Sequence, residues 1–287
     1  MSRKEHSDIA RIISQRPWLN EKHNELRNLL FVECETDDHR ALVSKILCNS
    51  MHIDLYTYRS LMKLLADDIT RTVSDPEKTL LVSMTGDRSA DSGQHVLYAL
   101  KYYLAALKWT GYTTVNQYNH SHKVFKENQK KDLYLILVDN FIGSGKTVLS
   151  RLSWIKQTFN QFEYEIPKIY VKVALCTKTG HDVLINAGIN LYAAQIVEDK
   201  LIDNLFYSEK DKYIELMKNI EEKLLKLYYT KKGKPKTVPS LGYGGAQVAI
   251  SIEDMNTPNN VFPIFWWQYS SDHKERDVIL VRDMEDA

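Results

Sequence analysis

Residues 133–147 read LYLILVDNFIGSGKT, and no other stretch restricts the fold so tightly. Residues 133–138 are six apolar or aromatic side chains without a charge, and Asp139 ends the run. A short apolar run bounded by turn residues predicts a strand buried on both faces, as in a parallel α/β sheet. Asn140, Gly143, Ser144 and Gly145 then supply a tight loop, and Thr147, Val148, Leu149, Trp154, Ile155 and Thr158 open a helical pattern. Strand, glycine loop and helix in that order turn backbone N–H groups and a helix N-terminus toward an anion, usually phosphate. Asp139 places a carboxylate at the carboxyl end of the strand, where open α/β sheets bind their ligands.

A second unit of the same kind lies upstream. Residues 79–84, TLLVSM, form an apolar strand that runs into TGDRSADSG at 85–93. A helix follows, with Val96, Leu97, Leu100, Leu104 and Leu107 on one face. Downstream, strands are expected at 168–176 and 191–197, with a short helix at 181–187 between them. Repeated strand–helix order predicts a parallel, doubly wound α/β sheet with right-handed crossovers.

The flanks are less regular. Apolar residues recur at helical spacing through 7–73, interrupted by Pro17, and these helices are expected to form an N-terminal cap over residues 1–76. His52 and Asp54 are read as the start of a helix. The α/β core is expected over 77–237. Within it 111–132 is read as a solvent-facing connection, with a weak strand alternation at Thr113, Val115, Gln117 and Tyr118 and a His120–His122 metal pair as a weaker reading. Residues 211–229 are expected to be one amphipathic helix leading into a basic loop, KKGKPK, at 231–236. A C-terminal hood is expected over 238–287. It carries a glycine cluster at 242–245, a strand at 248–252, the turn NTPNN at 256–260 and a strand of aromatics at 261–267. The segment reads either as a turn with a core-filling strand or as a turn that brings amide side chains, and a stacked ring, to a pocket mouth.

With 38 basic and 37 acidic residues among 287, nothing in the overall charge draws the chain to nucleic acid or an anionic membrane. Its three cysteines, Cys34, Cys48 and Cys176, lack metal-site spacing and read as reduced thiols. No apolar run approaches the ~18 residues of a membrane span, so a soluble, cytoplasmic protein is expected.

Two phosphate motifs compete for the central loop. A P-loop, G-x-x-x-x-G-K-[ST], would need glycine at position 140, where Asn140 stands. The stretch DNFIGSGKT more closely resembles the loop of type I phosphoribosyltransferases: two acids, two apolar residues and a small-residue turn ending in Gly-x-Thr. The departure is Asn140, where the family has its second acid. The resemblance implies that Asp139 and Asn140 hold the ribose hydroxyls of phosphoribosyl pyrophosphate (PRPP), and that Gly143, Ser144, Gly145, Lys146 and Thr147 hold its 5′-phosphate. It also implies that the first loop grips pyrophosphate through Arg88, with Ser89, Ser92 and Gly93 supplying amides and hydroxyls. Asp87 and Asp91 would position Mg2+ there, directly or through water. Asp139, Asn140 and Arg88 become the candidate catalytic residues.

Together, GDRSADSGQH, VDNFIGSGKT and NTPNNVFPIFWW are similar to phosphoribosyltransferase-like proteins of bacterial conflict systems. That likeness implies an anti-phage effector binding PRPP, a related ribose phosphate or a nucleotide, and acting on a nucleotide or nucleic acid. A defence partner such as a reverse transcriptase with its nucleic acid is also implied. Two alternatives stand beside this: a non-catalytic module that senses a ribose phosphate or nucleotide, and a P-loop phosphotransferase.

Overall fold

A computed structural model describes residues 2–86, 91–128 and 133–286. The first third of the chain holds α1 (Arg3–Gln15), α2 (His23–Asn28), α3 (Asp37–Cys48), β1 (Met51–Ile53), α4 (Leu55–Thr72), β2 (Thr79–Ser83) and α5 (Ser92–Ala106). The middle holds β3 (Thr113–Val115), α6 (Ser121–Asn128), β4 (Tyr134–Ile142), α7 (Lys146–Gln161), β5 (Lys168–Thr177), α8 (Lys178–Asn186) and β6 (Leu191–Val197). The remainder holds α9 (Leu201–Leu205), α10 (Lys210–Glu221), β7 (Leu227–Tyr229), β8 (Pro235–Thr237) and β9 (Ile250–Ile252). These elements group into two compact units, Leu55–Val197 and Met1–Asp54 with Glu198–Ala287. That grouping differs from the sequence boundaries at 76 and 237: α4 belongs with the sheet, and the two chain ends share one unit.

Unit 55–197 is built on a five-stranded sheet in the order β3-β2-β4-β5-β6. All four pairings are parallel. Strands alternate their side chains between faces, and the two faces have different partners. Leu135 and Leu137 of β4 with Val171 and Val173 of β5 pack against Val148, Leu152, Ile155 and Phe159 of α7 and Leu184 of α8. On the opposite face Lys172 is almost fully buried; its ammonium pairs with Asp68 of α4 and donates to Thr72 Oγ1 at 2.9 Å. Helices on both faces make the sheet doubly wound, as the repeated strand–helix order predicts.

Several local expectations change. The central strand does not stop at Asp139; it continues to Ile142, because Phe141 and Ile142 still pair with Leu175 and Cys176. Within 111–128 the weak alternation at Thr113 and Val115 is an edge strand, β3, and the helix α6 follows it where no helix is expected. His122 stacks on Phe162, with centroids 5.4 Å apart and planes within 7°, and it lies edge-on to Trp154. Aromatic packing, rather than a metal, explains that histidine, and no group of three metal-ligating side chains occurs among the described residues.

In the other unit, β1 pairs in parallel with β9, tying residues 51–53 to 250–252. His52 is in this strand, stacked on Trp18 at 5.0 Å, rather than at a helix start. α10 ends at Glu221, well before Tyr229; residues 227–229 instead form a hairpin with 235–237 around the basic loop. The aromatic stretch 261–267 is no strand. It is a turn that includes a short 3-10 helix (Pro263–Phe265), and Phe262, Phe265, Trp266 and Trp267 are each at most 1% exposed. They fill the core, as one of the two sequence readings expects, and present no ring to a pocket mouth. Asn256 and Thr257 do line a cleft of about 770 Å3, with Trp18 and His52.

Candidate functional site

Numbered within the sheet, the strand order is 2-1-3-4-5, and its direction of winding reverses between β2 and β4. That reversal leaves a crevice beyond the carboxyl ends of these two strands, where doubly wound proteins bind their ligands. β2 pairs with β4 only as far as Ser83 opposite Val138, with one further bond from Met84 N–H to the Val138 carbonyl at 3.1 Å. Asp139 is the next residue along. It continues the face of Leu135 and Leu137, while Asn140, 4% exposed, falls on the face of Ile136 and Val138.

Beyond β4 the backbone turns at Gly143, Ser144 and Gly145 into α7. Gly145 caps this helix with φ +74°, a left-handed conformation that glycine adopts without steric cost, and no side chain caps the helix. The first amides of α7 thus lack a capping side chain, and the helix dipole adds positive character beside them. Gly143 and Ser144 are half-buried, whereas Lys146 and Thr147 are exposed.

The loop has a brace that was not anticipated. Thr177 Oγ1 donates to the Gly143 carbonyl at 2.8 Å and accepts from Gly180 N–H at 2.9 Å. A Cβ on Gly180 would lie 1.9 Å from the Gly143 oxygen, so only glycine permits this approach. The pattern Thr-x-x-Gly reads locally as a helix cap; nothing in it announces contact with a loop more than thirty residues upstream.

Ser92 and Asp139, predicted on separate loops, meet. Ser92 Oγ donates to Asp139 Oδ1 at 3.0 Å, and Asn140 N–H donates to the same oxygen at 2.7 Å. Arg151 of α7 stands 3.8 Å from Oδ2. Its guanidinium lies over the Tyr118 ring, 5.4 Å from the centroid. Arg151 was missed, although it is one turn beyond Thr147 and so on the same helix face. Burial, then the nearby charge of Asp91, pushes the Asp139 carboxyl up to about 6, against the bonds from Asn140 and Ser92 and the charge of Arg151.

Asp91 caps α5, accepting Ser92 N–H at 2.6 Å. Gly93 is buried in the first turn of that helix against Ser83. Thr85 and Gly86 are held from the β3 side: Tyr118 N–H donates to the Thr85 carbonyl, and Asn119 Nδ2 donates to the Gly86 carbonyl at 3.0 Å. Asp87, Arg88 and Ser89 lie outside the described residues.

An open parallel sheet with a carboxylate and a glycine-capped helix N-terminus at its switch point defines a doubly wound α/β protein whose layout suits an anion there. Its family is narrower. The PRTase-CE profile matches residues 18–275, and the chain belongs to the PRTase-CE family; it is a phosphoribosyltransferase-like protein. Among solved structures it is similar to a hypothetical protein from Neisseria gonorrhoeae with bound ppGpp: 12% identity over 52% of this chain and 85% of that one, TM-score 0.33. The xanthine-guanine-hypoxanthine phosphoribosyltransferase of Helicobacter pylori is 11% identical over 52% and 86%, TM-score 0.30. Orotate phosphoribosyltransferase from Aeropyrum pernix is 12% identical over 48% and 70%, TM-score 0.29. No curated protein matches the chain. No helix among the described residues is long and apolar enough to cross a membrane.

Proposed function

We propose that the switch-point crevice binds PRPP or a related ribose phosphate, and that the protein is a pentosyl-phosphate transferase. The observation that carries this reading is the Ser92–Asp139 hydrogen bond, which brings the two phosphate-suited loops to one point. In this reading Asp139 and Asn140 receive the ribose hydroxyls, and the bend from Gly143 to Thr147 receives the 5′-phosphate, with Lys146 adding charge. Arg88, Ser89, Ser92 and Gly93 receive the pyrophosphate. Transfer breaks the bond between C1 and the pyrophosphate oxygen, and the electron pair leaves with pyrophosphate. An acceptor nucleophile, a nucleotide or nucleic acid, bonds to C1 and gives up a proton. The carboxylate of Asp139 stabilises the positive charge that develops on the sugar, and Arg88 the charge on the leaving group.

Mg2+ fits the donors at this site. The charge of Asp91 raises the cost of ionising Asp139 across Ser92, a repulsion that a cation relieves. Asp91, with Asp87, would hold the ion jointly with phosphate oxygens, since Mg2+ commonly takes only one or two protein carboxylates. When bound, it supplies charge neutralisation of the leaving pyrophosphate.

Calorimetric titration with PRPP and Mg2+ tests the assignment. Asp139→Ala should weaken binding roughly 10- to 100-fold, the worth of lost bonds to a charged group, while circular dichroism stays unchanged. Equal affinity in the variant rejects it.

A sensor that binds without turnover is the second reading. Asn140, which has no carboxylate to offer, is the observation that favours it. Asn140→Asp raises turnover in an enzyme and leaves a sensor silent. ATP hydrolysis dependent on Lys146, with no response to PRPP, would instead promote the phosphotransferase. The biological setting we propose, an anti-phage effector working in the cytoplasm beside a reverse transcriptase and its nucleic acid, rests on the likeness of the three motifs. Loss of phage protection in Asp139→Ala cells is its test.

A further inference from the structure

Tyr58 of α4 lies on the buried face with Leu61, Met62 and Leu65, and is 4% exposed. Its hydroxyl has no hydrogen-bond partner among the described residues. A buried hydroxyl left unpaired is costly to the fold and is rare in native interiors; phenylalanine would fill the same space without that cost. Burial, and then the charge of Asp139, raise the phenol's pKa, so the proton stays on the oxygen and the group remains a neutral donor. The ring is 5.8 Å from that of His95, tilted at 45°. His95 is three residues along α5 from Ser92, whose hydroxyl bonds Asp139. Tyr58 thus packs on His95, one turn along α5 from the serine that bonds Asp139, and is near enough to feel the charge of that carboxylate.

We infer that Tyr58 is a ligand-contacting residue of this site, donating its hydroxyl hydrogen to a sugar hydroxyl whose own hydrogen Asp139 accepts. This inference rests on the ribose-phosphate reading. A sugar hydroxyl is both donor and acceptor; a carboxylate only accepts, and a phenol locked in its neutral form has a hydrogen to give. The two protein groups together complement one hydroxyl. A phosphate oxygen is the poorer occupant, because the Asp139 carboxylate repels a second anion.

Tyr58→Phe in the full chain tests this, with ribose 5-phosphate and inorganic pyrophosphate as probes in calorimetry. The variant should bind ribose 5-phosphate about tenfold more weakly, the effect of one lost hydrogen bond. It should bind pyrophosphate, which carries no sugar hydroxyl, as the parent does. Its melting point without ligand should equal or exceed that of the parent, since an unsatisfied hydroxyl is gone. Unchanged affinity for ribose 5-phosphate overturns the inference, as does an equal loss with pyrophosphate. A melting point lower by more than roughly 3 °C also overturns it, because the hydroxyl is then holding the fold together. If the parent binds neither probe, the ribose-phosphate reading fails and this inference falls with it; a parent that binds beside an indifferent variant rejects Tyr58 alone.

Discussion

Asp139 is held in a form that burdens the free protein. Its carboxyl titrates at about 6 where an ordinary aspartate titrates near 3.8, chiefly because burial disfavours the charge. Below the ordinary value both folded and unfolded chains carry the proton, and the group contributes no pH dependence. As pH rises toward 6 the unfolded chain loses its proton first, so stability declines across that window. Above it the charged carboxylate destabilises the fold by about 3 kcal/mol, the free-energy equivalent of the displacement. Asp139→Asn should therefore melt several degrees higher than the parent at pH 8 and converge with it below about pH 4, by thermal denaturation in matched buffers. The same variant should lose PRPP binding at neutral pH. A gain in stability with a loss of binding is the signature of a residue kept for function; a lower melting point at pH 8 would mean the carboxylate is structural.

At the scale of elements, the strands and helices around the site were legible because their signals are local. The apolar run of β4, the glycine bend and the helical spacing of α7 all lie within about thirty residues of sequence. So do β5, α8 and β6, whose alternation of types follows from short apolar runs and the Thr177 cap. What stayed hidden depends on partners far away. β1 is three residues whose only strand signal is their pairing with 250–252. The aromatics at 261–267 have strand-like composition, yet Pro263 starts a turn and the rings go into the core. Asp139 and Ser92 were each identified, but their contact spans 47 positions. Gly180 is the sharpest case, since its role appears only when α8 is seen against the phosphate bend. Gly180→Ala drives a methyl group into the Gly143 carbonyl, so one backbone must move. The expected result is at least tenfold weaker ribose-phosphate binding, a change of the size that follows from losing one bond to the phosphate, with α-helical content retained. Undiminished affinity would show that the bend does not depend on this brace.

For the whole molecule, strand order decides more than any single motif. A sheet wound 2-1-3-4-5 has one switch point, and here the carboxylate, the open helix end and the acid-capped α5 all border it. The order was not readable in advance, because strand–helix alternation fixes parallel pairing and handedness but leaves neighbours undetermined. Nor was the partition of the chain, in which Glu33 near one end bonds Arg276 near the other, Nε to Oε1 at 3.1 Å. The central claim is that Asp139 and the bend before α7 grip a sugar and its phosphate together. A crystal structure of the complex with ribose 5-phosphate tests it most directly. The account predicts the phosphate about 3 Å from the backbone nitrogens between Ser144 and Thr147, with a sugar hydroxyl on the Asp139 carboxylate. A ligand bound elsewhere, with Asp139 still joined only to Ser92, Asn140 and Arg151, would contradict it.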